Sequence, residues 1–253
     1  MLRERATEPE HFDSPARTAE EIAANYRELA RVNRLFRLDD PYTRVMSRWL
    51  GAKNCRRLTI LDLGAGDAWL GAQMEKFAAR QRWEWRVTNL DFNPIPLQLN
   101  PGSRNIVGSV LALPFAENSF DIVIASQMTH HLVSDAEAVQ HFREAWRVAR
   151  SGVFISDMKR SAFLYVMLWI TLRVLRLTPE MRNDGLLSVQ RSWTRDELRT
   201  LVARAGLSDA TVRSYFGTRL IVAARKIQAT AAASETSAPY RARNESCSAP
   251  PGR

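Results

Sequence analysis

A short apolar run that leads directly into two glycines limits the possible folds of this chain most strongly. Residues 58–63 read Leu-Thr-Ile-Leu-Asp-Leu, a pattern typical of a buried strand, and Gly64-Ala65-Gly66 follow at once. Glycine permits a tight turn and a close approach of the backbone to a ligand. Open α/β sheets bind ligands at the carboxyl ends of their strands. The segment therefore predicts the first strand of such a sheet, with a ligand site at its end.

Strands and helices alternate along the rest of the chain, which favours a parallel sheet with helices on both faces. The predicted strands are residues 58–63, 84–92, 104–110, 119–126, 152–158, 210–216 and 218–225. The predicted helices are residues 16–38, 41–50, 68–79, 135–150, 162–177 and a helix that opens with a capping box at Thr194 and ends near Gly206. The last two strands, separated by Gly217, form an antiparallel pair. The expected fold is a Rossmann-like, doubly wound sheet, mostly parallel with an antiparallel C-terminal hairpin strand.

Composition excludes several classes of protein. Only Cys55 and Cys247 are present, far apart, so a disulfide framework or a structural zinc site is not expected, and no other metal site is predicted. This cysteine usage fits a reducing cytoplasm, and the first ten residues contain no apolar core of a secretory signal. About fifteen residues at the start show no periodicity and are expected to be frayed.

The glycine turn itself discriminates between nucleotide ligands. A dinucleotide-binding loop requires a third glycine three residues after Gly66, where this chain has the large Trp69, and a Gly-Lys-Ser/Thr phosphate loop is absent. The loop therefore suits a nucleoside ligand without phosphates better than NAD or ATP. Asp91 follows Gly66 by 25 residues, at the end of the second predicted strand. Its carboxylate could hold both ribose hydroxyls, or it could begin an Asx turn before Asn93-Pro94.

Together these motifs resemble the class I S-adenosylmethionine-dependent methyltransferases, in particular the branch similar to the ubiquinone/menaquinone-type and polyketide-associated enzymes. The resemblance covers about residues 58–225. Its motifs are Ile60-Leu-Asp-Leu-Gly-Ala-Gly66, Asp91, Gly108-Ser-Val-Leu-Ala-Leu-Pro-Phe115, Asn118-Ser-Phe-Asp-Ile-Val-Ile-Ala-Ser126, His130-His131-Leu132 and Glu144-Ala-Trp-Arg-Val-Ala-Arg150.

The resemblance implies S-adenosylmethionine as cofactor and assigns roles to individual residues. Asp62, Gly64 and Gly66 would shape the pocket for the methionine part, and Asp91 would hold the ribose. Adenine would lie near Ser109 and Val110, although the family often has an aspartate where this chain has Ser109, and an ionised acceptor is the stronger one. The remaining residues predicted to contact the cofactor are Ala65, Phe92, Ser126 and Gln127.

Two histidines follow the fourth predicted strand. His130 and His131 could remove a proton from the methyl acceptor, because histidine titrates near neutrality. The alternative is a structural pair with one ring packed and the other solvated. Both interpretations stay open at the level of sequence.

The resemblance also restricts the acceptor. The segment after the fourth strand reads Ser-Gln-Met-Thr rather than the Asn/Asp-Pro-Pro-Tyr/Phe of amino-nitrogen methylation of nucleic acids. Cys55 and Cys247 are misplaced for cytosine-C5 methylation, and the loop with two glutamates typical of protein-arginine methylation is absent. A small-molecule acceptor is expected. A non-catalytic regulatory module that binds S-adenosylmethionine, or a nucleic-acid methyltransferase, remains the alternative.

Charge and hydrophobicity concentrate in the second half of the chain. Residues 143–225 carry 15 basic and 7 acidic side chains, a net charge of +8, against 17 basic and 18 acidic in residues 1–142. The excess could meet nucleic acid, an anionic membrane or an acidic substrate, or reflect solvated arginines. The apolar segment 162–177, interrupted by Arg173 and Arg176, is too short to span a bilayer and predicts either a buried lid or a helix resting on lipid.

The expected organisation has three parts. Residues 1–51 form an N-terminal helical extension, residues 52–226 the methyltransferase domain with a lid insertion at 161–190, and residues 227–253 a disordered tail. The acceptor is expected to be apolar or aromatic, with O-methylation favoured. The protein is expected to be cytoplasmic with a possible peripheral membrane contact.

Overall fold

The described strands form a single sheet. The computed structural model describes residues 2–14, 17–51 and 55–226. The strands are β1 Arg57–Leu63, β2 Glu84–Asp91, β3 Arg104–Val107, β4 Phe120–Ser126, β5 Ala149–Met158, β6 Thr211–Tyr215 and β7 Arg219–Arg225. They lie in the order β3-β2-β1-β4-β5-β7-β6. The first five pair in parallel, and β7 is antiparallel to both β5 and β6. The predicted mostly parallel sheet with an antiparallel C-terminal hairpin is confirmed.

Helices cover both faces of this sheet, as a doubly wound fold requires. The helices are α1 Ala19–Leu35, α2 Met46–Leu50, α3 Trp69–Arg80, α4 Pro94–Leu97, α5 Asp135–Val148, α6 Ala162–Val174, α7 Pro179–Arg191 and α8 Arg195–Arg204. One apolar core joins the sheet to α5 and α8 through residues such as Phe142 and Leu198. The other joins the opposite face to α2 and α3 through Met46 and Met74.

Helix starts follow the local sequence signals closely. The capping box at Thr194 is present, because Thr194 N donates to the Glu197 carboxylate at 2.8 Å and the Thr194 hydroxyl accepts from Glu197 N. Thr18 caps α1 in the same way. Gly206, just beyond the end of α8, has φ +91°, the left-handed conformation that glycine adopts without strain.

Several elements differ from the sequence-based expectation: the short helix α4 was not predicted, and β5 begins at Ala149, within the predicted helix 135–150. Helix α7 was not predicted as a separate helix, because its apolar positions are few and Gly185 lies in its middle. Thr178 and Pro179 nevertheless carry a usable signal, since the Thr178 side chain caps α7 and proline occupies its first turn. Strand β3 ends at Val107 rather than at residue 110. The predicted disordered tail lies outside the described residues.

Helices α6 and α7 pack with α1 into a third apolar cluster, separate from the two faces of the sheet. Its buried members include Leu164, Leu168 and Leu172 of α6, and Leu29 and Val32 of α1 pack against it. The α1 residue Glu28 accepts hydrogen bonds from the backbone and hydroxyl of Thr178 at the start of α7. The three helices therefore form a cover, a term used below for α1, α6 and α7.

The segment before β1 is tied to the centre of the sheet by one buried hydroxyl. The Tyr42 side chain is fully buried. Its hydroxyl donates to the Ala125 carbonyl of β4 at 2.5 Å and accepts from Ser156 N of β5 at 3.1 Å. Tyr42 therefore joins two parallel strands at the end where they approach the cover.

We expect Tyr42→Phe to lower the free energy of unfolding by about 1–3 kcal/mol, because it leaves buried backbone groups of Ala125 and Ser156 without this partner. Urea denaturation followed by circular dichroism measures the change. Tyr215→Phe, at a half-buried tyrosine on β6, is the matched control and should cost about 0.5 kcal/mol or less. Equal effects of the two substitutions would contradict the role of the Tyr42 hydroxyl.

Candidate functional site

A cavity of about 890 Å³ lies between the carboxyl ends of the strands and the cover. Residues that follow β1, β2 and β4 line one side, and residues of α1, α6, α7 and the N-terminal segment 7–13 line the other. The structure brings all twelve predicted site residues to this one cavity: Asp62, Gly64, Ala65, Gly66, Asp91, Phe92, Ser109, Val110, Ser126, Gln127, His130 and His131. Their individual roles remain predictions.

The glycine turn has no room for side chains at two positions. Gly64 and Gly66 have φ values of +67° and +55°, in the left-handed region that favours glycine. A Cβ atom on Gly64 would lie 2.1 Å from Met128 Cγ, and one on Gly66 would lie 2.8 Å from the ring of Tyr26. The turn is thus held between the segment after β4 and helix α1, with its backbone against the cavity.

Asp62 is the most unusual polar group of the cavity wall. Its side chain is 1% exposed, and neither carboxylate oxygen has a hydrogen-bond partner among the described residues. Burial, together with the nearby charge of Asp91, raises the pKa of Asp62 to about 8. A buried carboxylate without a partner is costly, so the site offers a ready place for a cationic group of a ligand.

Asp91 fixes the turn from the neighbouring strand. Its two carboxylate oxygens accept from Gly66 N at 2.8 Å and from Asn93 N at 2.9 Å. The second bond is the Asx turn that the sequence left as an alternative. Each oxygen can accept a further hydrogen bond, so the turn and a ribose contact are compatible. Burial raises the pKa of Asp91, although the two backbone N–H groups oppose the shift.

The predicted adenine side of the cavity is more open. Ser109 is exposed, and its hydroxyl oxygen accepts from Leu111 N at 3.2 Å, which takes one of its two lone pairs. The Phe92 side chain is 74% exposed at the rim. Gln127 has φ +53° and donates from its backbone to the Ser156 carbonyl at 3.0 Å, which fixes the chain where it leaves β4.

The two histidines differ sharply in environment. His130 is 2% exposed, and both its backbone N and its Nδ1 contact the Asp157 carboxylate, at 2.9 and 2.7 Å. Burial opposes the charge on Asp157, but the His130 partner outweighs it and lowers the pKa of Asp157. His131 is about one-third exposed, and its Nδ1 lies 3.2 Å from Asp13 Oδ1. His130 therefore matches the structural interpretation, whereas His131 has a ring nitrogen left for a ligand.

The expectation of a frayed N-terminus is wrong for its described residues. The Arg5 guanidinium donates to the carbonyls of His130 and Val133 at 2.9 and 3.0 Å and to that of Leu132, and lies 3.8 Å over the ring of Trp193. Charge-assisted hydrogen bonds rather than an apolar stripe hold this segment, so periodicity could not reveal it. Residues 5–13 are called the N-terminal strap below.

The strap also places two carboxylates in the cavity that sequence reasoning missed. Asp13 contacts Arg191 at 2.9 Å as well as His131. Glu10 accepts from Ser188 at 2.7 Å and lies 3.8 Å from His130 Nε2. No motif marks these residues in the sequence, because they act only once the strap is docked on α7.

The electrostatics of this cluster follow from its contacts. Burial opposes ionisation of Asp13, but His131 and Arg191 outweigh it and hold the pKa of Asp13 well below its usual range. Burial likewise opposes the charge on His131, but Asp13 and Glu10 outweigh it and raise the pKa of His131. Glu10, His130 and His131 place potential metal-ligand atoms within 4.8 Å of one another. The Arg191 guanidinium, 3.9 Å from Glu10, already brings a positive charge to this carboxylate.

We expect Asp62→Asn to stabilise the ligand-free protein at alkaline pH. Because the folded-state pKa of Asp62 is raised to about 8, the folded state retains a proton that the unfolded chain loses near pH 4. Stability of the native protein therefore falls as the pH rises from about 4 to 8, and the asparagine variant lacks this part of the fall. Thermal unfolding across that range measures the difference. Asp121→Asn, at the opposite end of the sheet, is the control, and indistinguishable pH profiles for native protein and Asp62→Asn would contradict the prediction.

Comparisons with known proteins agree with this geometry. Residues 61–156 match a family model described as a methyltransferase domain. No curated protein sequence matches the chain. A methyltransferase from Aquifex aeolicus that depends on S-adenosylmethionine has a similar structure, with a TM-score of 0.55 and 16% identity, covering 83% of this chain and 100% of the other.

Two further solved structures share the fold. The plantazolicin methyltransferase BpumL, solved with a monoazolic desmethylPZN analog and SAH, gives a TM-score of 0.62 at 13% identity and covers 86% of this chain and 92% of its own. A possible histamine N-methyltransferase from Thermotoga maritima gives 0.52 at 13% identity, covering 79% and 97%. Residues 61–156 thus match a methyltransferase domain, and the sheet order and the glycine turn agree with the fold of these solved structures.

Proposed function

We propose that this methyltransferase acts on a hydroxyl oxygen of a small apolar or aromatic acceptor, with His131 as the base. The observation that carries the proposal is the pairing of His131 with Asp13 beside an apolar wall. His131 Nδ1 contacts Asp13, which leaves Nε2 as the nitrogen available to an acceptor. We also propose that the protein is related to the quinone-type and polyketide-associated methyltransferases. This part of the proposal rests on the resemblance of its sequence motifs alone.

The cavity residues fit the cofactor. When bound, S-adenosylmethionine supplies an electrophilic methyl group on a sulfonium and carries an ammonium group on its methionine part. The unpaired carboxylate of Asp62 matches that ammonium in charge, and the backbone of Gly64–Gly66 leaves space beside it. Asp91 has the remaining acceptor capacity for the ribose hydroxyls.

His131 is proposed to take the proton that the acceptor hydroxyl loses. Asp13 orients the ring and stabilises its charged form, as a carboxylate does for a catalytic imidazole in general. His130 is held by Asp157 and acts as a support for its neighbour rather than as a second base. Arg191 keeps Asp13 in place and donates to the His131 carbonyl at 2.9 Å.

The acceptor is proposed to lie against the cover. Leu164, Met167, Leu168 and Leu172 of α6 and Met181 of α7 line the cavity. Leucine and methionine side chains make an adaptable apolar wall, which suits a planar or lipophilic molecule. Segment 161–190 is thus proposed to work as the lid of the site.

We expect Asp91→Ala to weaken S-adenosylmethionine binding by about tenfold or more, because hydrogen bonds to a charged group are worth about 1.5–3 kcal/mol. Isothermal calorimetry measures the dissociation constant. Asp121→Ala removes a carboxylate that binds Thr59 at 2.8 Å at the other end of the sheet and should leave binding unchanged. An unchanged constant in folded Asp91→Ala would reject the ribose assignment.

The proposed reaction is tested by turnover on lipophilic phenols against small polar acceptors. We expect preference for the phenols, and a loss of about 100-fold or more in kcat for His131→Ala, as for removal of a general base. Preference for polar acceptors would contradict the apolar wall. Binding of cofactor without turnover of any acceptor would favour the regulatory module, and methylation of RNA would favour a nucleic-acid methyltransferase.

The pH profile of the same assay separates a base from a merely structural histidine. The rate should rise with pH as His131 loses its proton, and Asp13→Asn should move this rise to lower pH, because Asp13 raises the pKa of His131. A profile that stays in place in Asp13→Asn would remove His131 from the mechanism while leaving the cofactor site intact.

A further inference from the structure

The outer face of α6 is almost entirely apolar and open to solvent. Its exposed positions are Ala162, Phe163, Val166, Trp169, Ile170, Arg173 and Val174. Phe163 and Val174 are 65% and 74% exposed. Residues spaced by three, four and seven positions share one face of a helix, so these side chains form one continuous strip. An exposed apolar strip of this kind is unusual on a water-facing surface and marks an interaction site.

The opposite face of α6 is already occupied. Leu164, Leu168 and Leu172 are buried in the cover, and all three line the cavity. The packing of α6 onto the protein therefore buries its inner face, and the outer strip stays exposed. Helix α6 therefore lies between the cavity and the surface that carries the strip.

The charge around the strip indicates what that partner is. Residues 159–177 contain no acidic side chain, and of their four basic ones Arg160 is buried and paired with Glu197, which leaves Lys159, Arg173 and Arg176. Arg173 lies on the strip itself, with its guanidinium 3.9 Å over the ring of Trp169, and Arg176 is exposed just beyond the helix end. Arginine at the edge of an apolar face can keep its head among anionic groups while its stem and neighbouring tryptophan contact hydrocarbon.

A second apolar group lies at the same end of the sheet. Phe216 is 80% exposed in the turn between β6 and β7, at φ +47°. The adjacent Thr218 carbonyl accepts from Lys159 N at 2.9 Å, two residues before the cap of α6. This exposed phenylalanine therefore lies at the tip of the hairpin that contacts the residues leading into α6.

We propose that the outer strip of α6, with Phe216 beside it, docks onto an anionic lipid bilayer. No helix in the described ranges is long and apolar enough to cross a membrane. Because one face of α6 is packed in the cover and the opposite apolar face is exposed, the helix would lie in the plane of the interface. Its apolar side chains enter the boundary between headgroups and acyl chains, and Arg173 and Arg176 meet the phosphate groups. This inference goes beyond the proposed function, because it concerns the surface on which the enzyme works and not the reaction.

Flotation of the full chain with phosphatidylcholine vesicles, with and without phosphatidylglycerol, tests the proposal. We expect binding to the anionic vesicles, and a loss of about tenfold or more for the double variant Trp169→Ser and Ile170→Ser, since each loses apolar area. The double variant Arg173→Gln and Arg176→Gln should no longer distinguish anionic from neutral vesicles. Val107→Ser, an exposed apolar position on β3, is the matched control and should bind as the native protein does.

Three results would overturn the proposal. They are absence of flotation with anionic vesicles, equal flotation of the α6 variant and the native protein, and lipid-free self-association that the Trp169→Ser and Ile170→Ser variant abolishes. The last result, measured by sedimentation, would assign the strip to a second copy of the chain. Neither Trp169 nor Ile170 lines the cavity, so cofactor binding should be the same in the variant and serves as the control for folding. Failure here would leave the proposed reaction untouched.

Discussion

The lack of room at the glycine turn is the constraint on which the arrangement of the site depends. Met128 and Tyr26 approach so closely that neither Gly64 nor Gly66 could carry a side chain. Met128 follows β4 and Tyr26 belongs to α1, so the turn brings together the sheet and the helix that covers it. Asp91 fixes the same turn from β2 through Gly66 N. The glycine turn at the edge of the cavity is thus fixed by close contacts with three other parts of the chain.

Charge is distributed unevenly within this cavity. At the strap, the negative Asp13 is compensated by Arg191 and His131 within hydrogen-bonding distance. At the glycine turn, Asp62 has no such compensation in the described residues. A buried acid without a partner destabilises the ligand-free protein, and sites that bind ligands commonly retain such groups. Among the described residues, the strap carboxylate of Asp13 is thus neutralised by its neighbours, whereas the carboxylate of Asp62 at the glycine turn is not.

The sequence predicted the parts of the fold and site that depend on local patterns. The seven strands, the capping box at Thr194 and the gathering of residues at the strand ends all follow from periodicity, glycine positions and the geometry of parallel sheets. The strap was missed because Arg5, Glu10 and Asp13 act through contacts with residues more than 100 positions away, and no pattern in their own segment reveals those partners. Segment 162–177 is apolar almost all round, so its sequence did not separate the buried face of α6 from the exposed one.

If the ammonium group of the cofactor binds at Asp62, as proposed, the unpaired carboxylate of this residue also links cofactor binding to proton exchange with the solvent. Below about pH 8 the group is largely protonated in the ligand-free protein, yet an ammonium group beside it favours the ionised form. Binding then releases a proton, so the heat measured by calorimetry includes the protonation enthalpy of the buffer, and the apparent affinity increases with pH until Asp62 is ionised without help. Asp62 would thereby both destabilise the ligand-free protein and make the affinity for the cofactor depend on pH.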